Sequence, residues 1–210
     1  MVSIVKSSRP APSEAEPAWD IARLFPYQGS WTERDYLELD TNHLVEFTDG
    51  FVEVLPMPKM GHQKIAFWLA ESIKNFVRPR KMGTVLTAPF RVRVRKSKYR
   101  EPDVMFMFAE HASRMGEDFW EGADLVVEVV SDDPESRERD HRTKREDYAE
   151  AGVPEYWIVD PQDRKVIVLN LVDRQYAVHG EFGPGMRASS EVLPGFDVEV
   201  TEVLAAATEP

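Results

Sequence analysis

The chain has 210 residues, 42% hydrophobic and 30% charged, with no cysteine and a formal net charge of −11. These values fit one folded domain and exclude collagen-like, coiled-coil and wholly disordered chains. The lack of cysteine excludes disulfides, thiolate zinc sites and a cysteine nucleophile. No apolar run approaches the ~20 residues of a membrane span. The first residues carry Lys6 and Arg9 but no apolar signal core. A protein of the cytoplasm, with no membrane partner, is the expectation.

Residues 1–30 read as a tail, with Pro10, Pro12, Pro17 and Pro26 scattered among small and polar residues. Trp19, Ile21, Leu24 and Phe25 are the side chains able to anchor it. A single domain is expected over 31–210. Thr32, with Asp35 three residues on, is an N-cap signal for a short helix. Segments 43–47 and 51–55 around Thr48-Asp49-Gly50 predict a hairpin. Ile65, Leu69, Ile73 and Phe76 predict a long amphipathic helix over 62–77.

Phe90, Val92 and Val94 alternate with Arg91, Arg93 and Arg95, which predicts one strand over 84–95. Further strands are expected over 103–108 and over 124–130. The second is apolar apart from Asp124 and Glu128, as a buried central strand should be. A helix over 138–151 stops at Gly152 and Pro154. Strands follow over 156–159, 165–171 and 175–178, the last two flanking Asp173-Arg174. Segment 196–204 reads as a strand or a short helix. This order predicts an α/β fold with a mixed sheet.

Charge is distributed unevenly. Arg78, Arg80, Lys81, Arg91, Arg93, Arg95, Lys96, Lys98 and Arg100 fall in a stretch without acidic residues, leaving about −20 on the rest. An acidic protein does not attract nucleic acid at large, but a basic strip on it can. The Arg91, Arg93 and Arg95 row therefore has two readings, a solvated edge-protecting face or phosphate contacts in nucleic acid. His62, at a helix start, is a base, a phosphate contact or a surface residue.

The most informative residue is Glu128, which shares a strand face with Val126 and Val130. An unpaired buried carboxylate is costly to ionise, so a cation, a metal or a hydrogen-bond network must compensate it. Asp103 opens the preceding predicted strand. Two carboxylates on adjacent strands can share one Mg²⁺ or Mn²⁺, and such an ion polarises phosphate and acidifies bound water. Glu46 in the hairpin is a candidate third carboxylate. Lys144, with Asp140 and Tyr148 four residues to either side, is the candidate cation. The bland alternatives are a structural ion pair for Glu128, a turn residue for Asp103 and a solvated face for Lys144.

Pro102-Asp103, Val127-Glu128-Val129, Asp140…Lys144…Tyr148 and the run from Gly152 through Pro154-Glu155-Tyr156-Trp157 to Asp160-Pro161 resemble the Uma-two family. That family of restriction-endonuclease-like domains is placed in the PD-(D/E)XK nuclease superfamily. Tyr36-Leu37-Glu38-Leu39, Val45-Glu46-Phe47-Thr48-Asp49-Gly50 and His62 fit its opening helix, hairpin and helix-start histidine. The resemblance spans 31–204.

It implies a restriction-endonuclease-like mixed sheet flanked by helices. It also implies metal-dependent phosphodiester hydrolysis in DNA, with Asp103 and Glu128 as ligands of Mg²⁺ or Mn²⁺. The superfamily's lysine two residues after the glutamate is Val130 here, and Lys144 on the next helix takes its role. Phe51 and Ser131-Asp132-Asp133-Pro134 depart from the family pattern. A homodimer would supply two cuts on a duplex. A different class of function is a non-catalytic nucleic-acid or protein interaction module on a nuclease-like core, which a Lys144 facing solvent would favour.

Overall fold

The computed structural model describes residues 26–208 except Asn42. The anchor expected at Trp19, Ile21, Leu24 and Phe25, and most of the tail, lie outside the described residues. Residues 26–30, counted with the tail from sequence, close against a hairpin. Gln28 exchanges side-chain hydrogen bonds of 2.8 and 2.9 Å with the backbone of Val52, and the Gly29 N–H donates to the Gly50 carbonyl at 2.8 Å.

Helix α1 (Glu33–Leu37) starts in a capping box between Thr32 and Asp35. It buries Tyr36, whose hydroxyl donates to the Val45 carbonyl at 2.8 Å. Strands β1 (Val45–Thr48) and β2 (Phe51–Val54) pair antiparallel. Their turn uses Asp49 and Gly50, both at positive φ. Gly50 is required twice over, because an added Cβ would also lie 2.8 Å from the Gly29 oxygen.

Helix α2 (Met60–Val77) buries Ile65, Leu69 and Ile73, the spacing that predicted it. The strand expected over 84–95 is two strands, β3 (Gly83–Thr87) and β4 (Arg91–Arg95), in different sheets. Pro89 lies between them. It has no N–H to extend a ladder, so the alternating pattern could not run through it. Strand β5 (Lys98–Arg100) was absent from the sequence reading, as was β7 (Phe119–Glu121); each is only three residues long. Between them lies β6 (Val104–Phe108). Among the described residues β2-β1-β5-β4-β7 form one sheet, packed on Trp31, Tyr36, Phe47 and Tyr99.

The second sheet has the order β11-β10-β9-β8-β6-β3. It uses β8 (Leu125–Val129), β9 (Glu155–Asp160), β10 (Lys165–Val172) and β11 (Gln175–Phe182). Strands β8 and β9 run parallel and the other pairs antiparallel, so the sheet is mixed as expected. Alternation splits β8 between two cores. Val127 and Val129 face α2, whereas Val126 and Val130 pack with Tyr148, Tyr156 and Ile158.

The β8–β9 crossover was expected as one helix over 138–151. It is instead α3 (Pro134–Glu138), a π turn (Arg139–Thr143) and α4 (Lys144–Glu150). Asp133 caps α3 and Pro134 sits in its first turn, both start signals. The wide turn shows in the Lys144 N–H, which donates to the Arg139 carbonyl five residues back. The C-terminal ambiguity resolves as both elements: β13 (Asp197–Glu199), paired with β12 (Arg187–Ser189), then α5 (Val200–Ala205). Among the described residues no helix is long and apolar enough to cross a membrane.

Candidate active site

Strand register brings the two key carboxylates together. Val104 pairs with Val127 across antiparallel strands, so one step further along the ladder Asp103 comes opposite Glu128. Asp103 Oδ2 accepts the Val129 N–H at 2.7 Å, and Oδ1 lies 2.9 Å from His62 Nε2. Burial opposes a charged imidazole, but the hydrogen bond and charge of Asp103 prevail and raise the His62 pKa. The other ring nitrogen is 3.5 Å from Ser131 Oγ.

Glu128 is held from the crossover. Lys144 Nζ lies 2.8 Å from Oε2, and the Tyr148 hydroxyl donates to Oε1 at 2.5 Å. Lys144 Nζ also lies 3.3 Å from Asp140 Oδ1 and 3.8 Å from Glu46 Oε1. Asp140, Lys144 and Tyr148 therefore all project to the same place. Burial raises the Glu128 pKa; Lys144 opposes this, and the charges of Asp103 and Asp140 reinforce it. Burial works against the Lys144 ammonium, but Glu128, Asp140 and Glu46 outweigh it and raise its pKa.

Glu46 sits on β1, 1% exposed, with Arg100 Nη1 at 3.3 Å. Arg100 in turn grips Asp147 at 2.7 Å, tying the five-stranded sheet to α4. Arg100, Glu101 and Arg139 were missed from sequence. Arg100 and Glu101 stand in a charged stretch that reads as surface, yet both are buried. Glu101 accepts the Val45 N–H at 3.2 Å; burial and the Glu46 charge push its carboxyl up to about 7.

Of these side chains, His62, Glu101, Asp103, Glu128, Asp140 and Lys144 line a cavity of about 40 Å³. Its roof is the strap over 55–59 between β2 and α2, through Leu55, Pro56 and Pro58. Ion pairs clip both sides: Lys59 to Asp132 at 2.5 Å and Arg139 to Glu53 at 3.3 Å.

The basic row of β4 is engaged elsewhere. Arg91 lies 3.8 Å from Glu101 and over the Tyr36 ring. Arg93 lies 2.6 Å from Glu121 and over the Phe119 ring. Arg95 lies 2.7 Å from Asp49 and 3.2 Å from Glu150. A separate groove of about 630 Å³, lined by Arg142, Arg145 and Arg174 among others, shares no residue with this cavity.

The donor set suits a hard divalent cation. Asp103, Glu128, Asp140 and Glu46 offer only carboxylate oxygens, as Mg²⁺ or Mn²⁺ require. Asp140 Oδ1 and both Glu46 oxygens are buried without a hydrogen-bond partner among the described residues. As they stand, no three acidic or histidine side chains there converge closely enough to hold an ion alone. Water or substrate phosphate would complete the shell, as is usual for Mg²⁺.

Comparison with known proteins bears on the fold and the family. The crystal structure of a putative nuclease belonging to DUF820 from Anabaena variabilis superposes with a TM-score of 0.69 at 17% identity, covering 84% of this chain and 99% of that one. At that identity the likeness concerns the fold, which is the mixed α/β nuclease-like architecture. No curated protein matches the chain. The family model Uma2, described as "Putative restriction endonuclease", matches residues 33–203, and with that span the chain belongs to the Uma-two family.

Proposed function

We propose that this protein is a divalent-metal-dependent endonuclease that hydrolyses phosphodiester bonds in DNA. The observation that carries the reading is Lys144 Nζ, 2.8 Å from Glu128 in a cavity shared with Asp103. A Lys144 facing solvent would have favoured the non-catalytic module, and the side chain is 4% exposed.

Asp103 and Glu128 would hold Mg²⁺ or Mn²⁺, with Asp140 and Glu46 adjoining. When bound, the ion supplies Lewis-acid activation of the phosphate and of a water. Water oxygen adds to phosphorus and gives up a proton to solvent, the bond from phosphorus to the leaving sugar oxygen breaks, and that oxygen takes up a proton. The products are a phosphomonoester and a free hydroxyl.

Lys144, kept as an ammonium by its carboxylate neighbours, cannot take the proton from water. It orients the attacking water by donating to it and offsets negative charge growing on the phosphorane. His62, protonated more readily than an ordinary imidazole, stands at the cavity edge as a phosphate contact or a proton donor to the leaving oxygen.

Calorimetric titration of Mn²⁺ tests the site without knowledge of the target sequence. Wild type is expected to bind and Asp103→Asn to lose binding. A cleavage assay with Lys144→Ala then tests the role of the lysine. Equal Mn²⁺ binding by wild type, Asp103→Asn and Glu128→Gln would overturn the proposal.

A further inference from the structure

Beside the catalytic cavity lies a second recess of about 460 Å³. Pro56, His62 and Ser131 line both, so the two are adjacent. Its walls are mostly apolar: Pro56, Met57, Ile65, Val130, Pro161 and Ala207. Lys59, Asp132 and Asp133 add charge to its lining. Its volume falls within the ~300–1,000 Å³ of sites that enclose a small ligand.

The catalytic groups are withdrawn from the surface. Glu128 and Lys144 side chains are 3% and 4% exposed, beneath the strap over 55–59. A base-paired helix presents its phosphates on a stiff convex surface, with its bases stacked inside. Such a surface reaches recessed carboxylates only if the duplex bends or the strap moves aside. An unstacked nucleotide can enter, because rotation of its backbone carries base and phosphate inward together. The cations that would otherwise cradle a duplex on β4 are matched by Glu101, Glu121, Asp49 and Glu150.

We infer that this recess seats the base of an unpaired nucleotide next to the scissile phosphate, so that the substrate class is single-stranded or locally unpaired DNA. The inference rests on the nuclease reading and narrows its substrate. Proline, methionine and aliphatic walls pack against a base face with little regard to its identity. Cutting an unpaired strand needs one active site per event, unlike the paired sites expected for a duplex.

The test uses the full chain with Mn²⁺ and one fluorescein-labelled oligonucleotide in three forms: single strand, blunt duplex and duplex with an internal bubble. Initial cleavage rates are expected to be at least about tenfold higher on the single strand and the bubble than on the duplex. The cleavage-impaired Asp103→Asn variant is expected to bind the same single strand, measured by anisotropy, about tenfold tighter than the duplex.

Ala207→Trp fills the recess. It is expected to weaken single-strand binding about tenfold while leaving Mn²⁺ affinity and melting temperature unchanged. Should that variant lose its melting transition, Met57→Ala, at an exposed wall position, serves instead with loss of single-strand affinity expected. Equal or faster cutting of the duplex would overturn this inference and leave the nuclease standing. So would single-strand binding indifferent to the recess variants. No cleavage and no binding of any form would overturn both.

Discussion

The Lys144 ammonium lies 2.8 Å from the Glu128 carboxylate, a contact made from a helix onto a strand rather than along one strand. Strand β8 is thereby free to carry Val130 into the apolar core. The charge pair is almost fully buried, so each partner depends on the other. Lys144→Met is expected to lower stability by about 3–5 kcal/mol, because Glu128 would remain buried and uncompensated. The double variant Glu128→Gln/Lys144→Met should recover most of that loss yet stay inactive. Urea unfolding and a cleavage assay on these two variants and on Glu128→Gln alone would check the coupling.

Tyr148 touches the carboxylate without being placed to touch substrate. Its 2.5 Å hydrogen bond fixes how Glu128 is presented. Tyr148→Phe is expected to weaken Mn²⁺ binding by about tenfold, the usual effect of losing a partner behind a metal ligand. Calorimetry reads this directly. A purely structural role would lower the melting temperature and leave metal affinity alone.

Asp160, fully buried at the end of β9, receives Arg137 at 2.8 Å and His141 at 3.2 Å. The backbone N–H groups of Gln162 and Asp163 also donate to it, at 3.1 and 3.0 Å. Burial alone would raise its pKa, but Arg137 and these donors outweigh it and lower the value. A carboxyl with a depressed folded pKa stabilises above its unfolded value, and that contribution is lost as pH falls through the folded one. Asp160→Asn is therefore expected to cost about 2 kcal/mol at pH 7. The gap from wild type should close as pH drops below about 4. Thermal melts across that range would follow it.

The legible parts were those governed by local rules. Thr32 and Asp35 announced a capping box, and Ile65, Leu69 and Ile73 announced the α2 face. Glu128 stood out because a charge in an apolar strand has few explanations. The missed parts depend on neighbours distant in sequence. Arg100 and Glu101 look like surface residues until β1 and α4 close over them. The Arg91, Arg93 and Arg95 alternation is visible in sequence, whereas its acidic partners come from the end of β5, β7, the β1–β2 turn and α4. The π turn has no apolar period to betray it, since 139–143 is Arg-Asp-His-Arg-Thr.

One backbone position gives a test of the fold itself. Gly83 begins β3 opposite Phe108, and an added Cβ would collide with the Met107 carbonyl oxygen and the Phe106 ring. Backbone cannot yield there without loosening the β3–β6 ladder. Gly83→Ala is expected to destabilise by about 1–3 kcal/mol, visible as a lowered urea midpoint with an unchanged slope.

The wide turn at Arg139–Thr143 sets an angle as well as a path. Each α-helical residue advances the chain by ~100° about its axis, and a π turn holds a surplus residue that shifts this phase. Deleting one residue from that turn would leave each named catalytic side chain in the sequence. It would nonetheless swing Lys144 and Tyr148 by ~100° away from Glu128. The candidate chemistry is thus encoded partly as a rotation, so two relatives with the same charged residues can differ in activity by the length of this turn alone.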